Sequence, residues 1–172
     1  MREECEPLHL IHAISDDSNK QAFELYELMH QITTELDDHG KLLFGGSKAG
    51  KSALAQVSII DQSVEFAQTY SQAESVVAVI HAPKGAYIAV AITIRSGVST
   101  AFVLETDHDG DLVQEPIEVT SPALASSDRS TLFSLSFDAN GNVVIALGHK
   151  NINTSSEVVV VNLIDRSIIK RV

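Results

Sequence analysis

Cysteine occurs once, at Cys5, so the chain can form no disulfide within itself, and a reducing compartment is the expectation. Tryptophan is missing and aromatic residues make up only 5% of the chain. No long apolar run is present, which leaves no candidate for a membrane-spanning helix. The N-terminal stretch MREECEPLHLIHA carries acids where a secretory signal needs positive charge. A soluble, cytoplasmic protein without a membrane partner is therefore expected. Basic residues are scarce as well: 12 Lys and Arg stand against 23 acids, a formal charge of −11. That balance argues against a nucleic-acid partner, which is bound by neutralising phosphates. The acidity is uneven. Residues 1–40 hold ten acids against Arg2 and Lys20, a net of −8, read as a solvated face or a surface for a basic partner.

What the chain does have is 172 residues, enough for one domain with a real core, and two textures. In the first, Ala22, Leu25, Met29, Ile32 and Leu36 recur at three- and four-residue steps, with Lys20, Gln21, Glu24, Glu27, Gln31 and Glu35 between them. This spacing predicts an amphipathic helix from about Ser18 to Ile32, with Gly40 where a stop belongs. The β-branched Thr33 and Thr34 weaken its end, and a strand pair broken near His30 is the competing expectation. The segment 1–38 is thus set apart as an acidic N-terminal part from the remainder, 39–172.

In the second texture, runs of Val, Ile, Thr and Ala alternate with Gly, Asp, Asn and Ser turns, only 52–60 leaving room for another helix. Three stretches align: 32–40 followed by KLLFGG, 77–85 followed by AYIAVA, and 133–141 followed by NVVIALG. Each reads as a strand, a turn ending in Gly, and a second strand, the glycine supplying the positive φ of a tight turn. The second halves align too: LAQVSII–Asp61-Gln62–SVEFAQ, TAFVLET–Asp107 to Gly110–DLVQ, and EVVVVNLI–Asp165-Arg166–SIIKRV. An Asp is expected to open each of these turns by bonding the backbone two residues on. The unit is four antiparallel strands. Its period is 45 residues from Gly40 to Gly85 and 56 from Gly85 to Gly141, the excess lying in a Ser/Ala/Pro-rich loop at 120–131.

The blocks LFSLSFDANGNVVIALG and EVVVVNLIDRSIIKRV resemble the strand-turn-strand halves of WD-repeat-like β-propeller blades, over residues 31–172. The Trp-Asp pair of that family is absent. The resemblance implies a mainly β fold of blade-like four-stranded repeats, here with an N-terminal helix and an incomplete ring of three blades. It implies a non-catalytic protein–protein interaction or assembly role without a cofactor, with a protein partner or a second copy closing the ring.

A competing resemblance runs through Gly45–Ser52, which fits G-x-x-x-x-G-K-[ST] and is similar to the phosphate loop of small GTPases. It implies nucleotide binding at Gly45, Gly50, Lys51 and Ser52, with Mg²⁺ at Ser52 and hydrolysis of GTP or ATP. Asp107 and Gly110 would then supply the D-x-x-G string, while Gly148-His149-Lys150-Asn151 departs from the base-reading motif. Against it, Leu54–Ile60 is β-branched and alternating where a helix should come next. The hairpin reading of Gly45–Ser52 is preferred. Asp107, Asp109 and Asp111 place carboxylates at alternate positions, as calcium loops do, although no bidentate Glu lies downstream at the required spacing. His9 and His12 near Cys5 lack metal-ligand spacing, and no Ser/His/Asp or Cys/His arrangement stands out.

Overall fold

A computed structural model describes residues 30–37, 39–82, 86–95, 98–121, 131–149 and 156–172, twelve strands in all. The first four are β1 (His30–Leu36), β2 (Lys41–Lys48), β3 (Lys51–Ser58) and β4 (Ser63–Tyr70). The next four are β5 (Ser75–His81), β6 (Tyr87–Arg95), β7 (Val98–Thr106) and β8 (Ile117–Val119). The last are β9 (Thr131–Phe137), β10 (Val143–His149), β11 (Glu157–Asn162) and β12 (Ser167–Arg171). Each group of four is one antiparallel sheet in which chain order is also spatial order. We call these three sheets the first, second and third blades.

The described residues bear on several expectations, and the N-terminal helix is not confirmed among them. The segment 18–32 lies mostly outside the described residues, but its last three, 30–32, belong to β1, and no helix occurs among the described residues. The β-branched run Ile32-Thr33-Thr34 favours the pleat, and pairing with β2 outweighs the helical spacing. The first blade therefore begins at His30, inside the segment set apart as N-terminal, and 52–60 is strand and turn. The second blade closes with Ile117–Val119; Leu112 of the expected strand DLVQ makes only an isolated bridge to Thr106. Within the loop expected at 120–131, residues 122–130 lie outside the described residues and Thr131 already starts β9.

The blades pack face to face. The seam between the first and second is built from Leu43, Leu54, Phe66, Tyr70 and Ala73 against Val76, Val79, Tyr87, Ala89, Ala91 and Leu104. The seam between the second and third sets Ile88, Val90, Ala101, Val103 and Val119 against Val143, Ile145, Leu147, Val159 and Val161. Because side chains alternate across a strand, β6 is covered on both sides, which is why its sequence YIAVAITI is apolar but for Thr93. Gly45 marks the closest approach in the first seam. A Cβ there would lie 2.4 Å from Val76 and 2.9 Å from Val79, so only glycine fits.

The hairpin turns repeat one device. In Asp37–Lys41, Asp107–Asp111 and Asp138–Asn142, the leading Asp Oδ1 accepts the N–H groups two and four residues on, at 2.7–3.0 Å. The glycine before each last residue takes φ of +73°, +81° and +79°. Asp61 and Asp165 do not open their turns in this way. There Ser58 Oγ and Asn162 Oδ1 accept the Asp61 and Asp165 N–H groups, and Gln62 and Arg166 carry the positive φ.

Candidate functional site

Gly45–Ser52 spans the end of β2, a two-residue turn and the start of β3, with Ser47 paired to Ser52 and Lys48 to Lys51. Ala49 and Gly50 sit at φ +49° and +74°, both positive, as the tightest hairpin turn demands. Ser52 is fully buried, its N–H donating to Ala73 O and its hydroxyl to Tyr70 O at 3.1 Å. Lys51 is exposed at the tip. A phosphate cradle needs several free backbone N–H groups at the mouth of a helix. Here the flanking N–H groups belong to sheet ladders, and Gly50 leads directly into strand β3.

The second candidate, Asp107, Asp109 and Asp111, occupies the turn between β7 and β8. The structure brings together Asp107, His108 and Asp109, whose ligand-type atoms lie within 4.8 Å of one another. Asp111 turns away to accept Gln68 Nε2 at 3.3 Å. One oxygen of Asp107 is already bonded to two backbone N–H groups, just as in the turns at Asp37 and Asp138. Calcium takes six to eight oxygens. The local geometry is that of a hairpin turn, and its glycine also serves packing: Tyr70 donates its hydroxyl to Gly110 O at 2.7 Å.

Sequence reasoning did not single out the polar cluster in the first seam. Gln56, 1% exposed on β3, accepts the Tyr87 hydroxyl at 2.8 Å while its Nε2 has no partner. The His81 ring stands edge-on to Tyr87 at 5.4 Å, and neither of its nitrogens has a hydrogen-bond partner. Asp37 Oδ2 approaches His81 Nε2 only to 3.9 Å. At that range the ion pair is weak, and burial wins, holding the imidazole below its usual pKa despite Asp37 and Glu35. Burial would raise the Asp37 carboxyl, but the Lys41 and His39 N–H groups and His81 keep it low. Lys41 donates to Glu65 at 2.8 Å, a bond that pushes its ammonium up. The one sequence signal was a Gln inside the otherwise apolar run ALAQV.

The third blade supplies a different kind of surface. Repeat equivalence comes from register: Leu36–Leu42, His81–Tyr87 and Phe137–Val143 are matching pairs of the three blades. Counting onward, Leu43, Ile88 and Val144 correspond, as do Gly45, Val90 and Ala146. On the neighbouring strand the matching sets are Leu54, Val103 and Val158, and Gln56, Glu105 and Val160. In the first blade these positions face the second, and in the second blade Ile88, Val90 and Val103 face the third, at 0–1% exposure. In the third blade, Val144, Ala146, Val158 and Val160 join neither core, and Val158 keeps 36% exposed. This is the face on which a further blade would sit.

No family model matches the chain, and no curated protein matches it. Among solved structures, the crystal structure of the β-propeller domain of Cps50 (Swd1) from Myceliophteria thermophila superposes with a TM-score of 0.50 at 10% identity. The match covers 94% of this chain and 47% of that domain, so the chain spans about half its length. At this identity the likeness is one of fold. Three four-stranded antiparallel sheets stacked face to face are propeller-like blades, as the repeated hairpins imply. No helix among the described residues is long and apolar enough to cross a membrane.

Proposed function

We propose that the chain is a non-catalytic protein-interaction or assembly module whose partner surface is the face of the third blade that no described element covers. The observation that supports this reading is the repeat equivalence of Val144, Ala146, Val158 and Val160 with residues that neighbouring blades bury. A sheet face of this composition is stable in water only in part, and apolar patches rimmed by polar residues mark association sites. Propellers typically close with four or more blades, and three are present among the described residues.

The test is native mass spectrometry of the tagged chain recovered under mild conditions from cells that make it. A stoichiometric protein complex, without bound nucleotide, is the expected result. Binding of a fluorescent GTP or ATP analogue with Mg²⁺, abolished by Lys51→Ala, would overturn the reading and return Gly45, Gly50, Lys51 and Ser52 to a nucleotide site.

A further inference from the structure

Among the described residues, the buried side-chain atoms with no hydrogen-bond partner are Gln56 Nε2, both His81 nitrogens, Thr106 Oγ1 and Gln72 Oε1. All but the last belong to residues grouped around Tyr87. Gln56 accepts the Tyr87 hydroxyl at 2.8 Å, the His81 ring stands 5.4 Å from the Tyr87 ring, and Thr106 pairs with Tyr87 between β6 and β7. His81, Tyr87 and Thr106 form one row across the second blade. Each lies two residues from Val79, Ala89 or Leu104, which face the first blade, so the row faces it too. Gln56 comes from the opposite side of the seam, two residues beyond Leu54. Gln56 and Thr106 are fully buried.

The fold does not require polarity at these places. By register, the same row is Leu36, Leu42 and Val57 in the first blade and Phe137, Val143 and Val161 in the third, and Val160 stands where the first blade has Gln56. Polar side chains have thus been placed on both sides of one seam. A buried polar atom left unbonded is costly, and folded proteins satisfy such atoms with ordered water where no protein group serves.

We propose that ordered water is built into the first seam, bridging Gln56 to His81 and Thr106 and so joining the first two blades. The donor set selects water over an ion. The Gln56 amide nitrogen only donates, a neutral imidazole holds one N–H and one bare acceptor nitrogen, and the Thr106 hydroxyl takes either role. Burial favours the neutral form of His81. An anion has no hydrogen to give the bare nitrogen, and it would approach Asp37, whose carboxylate lies 3.9 Å from His81 Nε2, and Glu35. A metal cation would face the hydrogens of the Gln56 amide. The other charges nearby, Lys41 and Glu65, are paired with each other at 2.8 Å. Water both donates and accepts, as this set demands.

Two measurements on the whole chain test this. A high-resolution structure from a crystal soaked in bromide should show water about 2.7–3.2 Å from Gln56 Nε2 and from His81 or Thr106, with no anomalous signal there. In solution, oxygen-17 relaxation dispersion should report water held for longer than the protein takes to tumble. Gln56→Leu with Thr106→Val should reduce that contribution, whereas Ile145→Val in the second seam should leave it unchanged. Direct bonds among Gln56, His81 and Thr106 with no water between them would overturn the proposal. So would bromide at the site, or a dispersion that the folded double variant does not reduce. If the double variant fails to fold, the wild-type crystal decides alone.

Discussion

The two seams between the blades are built from different chemistry. The second is aliphatic at its centre, where valines, isoleucines and a leucine meet, with Phe133 and Phe137 packed at its flank. Its polar ties lie at the margins, where Arg166 donates to Gln114 and to the Glu115 carbonyl, and Ser121 donates to Glu157. The first seam buries two tyrosines and a glutamine beside the histidine, and its hydroxyls are spent on Gln56 and Gly110. Hydrophobic area is indifferent to small slips between sheets, whereas a buried hydroxyl is satisfied in one register only. The first seam is thus the one that fixes how two blades sit, and the second is the one that contributes area.

Four changes break or sharpen that contrast. Ile145→Ala opens a cavity in the aliphatic seam at a fully buried position and should cost about 2–5 kcal/mol in urea unfolding. Gly45→Ala drives a methyl into Val76, Thr33 and Val79 and should cost about 1–3 kcal/mol, since the blades cannot separate without losing the Tyr87 bond. Tyr87→Phe leaves Gln56 buried without any partner and should cost about 1–3 kcal/mol, whereas adding Gln56→Leu should recover most of it, because an apolar pair has nothing to satisfy. A double-mutant cycle that is simply additive would show that the hydroxyl does not bond the amide.

The smallest effect is one of pH. The folded chain holds His81 below the value near 6.5 of a free imidazole. In the window beneath that value the unfolded chain binds the proton more readily, so stability falls as pH drops through it and is fully present above it. His81→Gln should flatten this part of the stability–pH curve. An unchanged slope would mean that burial does not govern the ring. No equivalent dependence is expected of the second seam's interior, where nothing titrates.

Much of this architecture was legible in the sequence because hairpins are local. Asp-x-x-Gly ahead of an apolar run marked the turns at Gly40 and Gly141, and the runs of Val, Ile and Ala between them marked the strands. Other features were hidden. Residues 30–32 share a helical spacing with the residues before them, and only β2 decides their state. DLVQ alternates as a strand should, yet it makes only the bridge at Leu112, and the ladder with β7 forms at Ile117–Val119. The glycine-lysine string at 45–52 matches a phosphate loop in letters, while ladder pairing on both sides sets its shape. The cluster of Gln56, Tyr87 and His81 was beyond reach for a different reason. Its members lie on strands of two blades, and no periodicity within one strand reports on what the neighbouring sheet brings to it.

The matching Asp-led turns have unequal freedom to accept change. A Cβ at Gly110 would strike the Phe66 ring at 2.6 Å, whereas one at Gly141 would meet nothing within 4 Å. Lengthening the chain at 107–111 would lift the carbonyl that Tyr70 bonds, but the tip at Ala139–Asn140 is exposed. An epitope or a fluorophore spliced in at that tip would leave both seams undisturbed, which makes it the natural handle by which to tether the molecule.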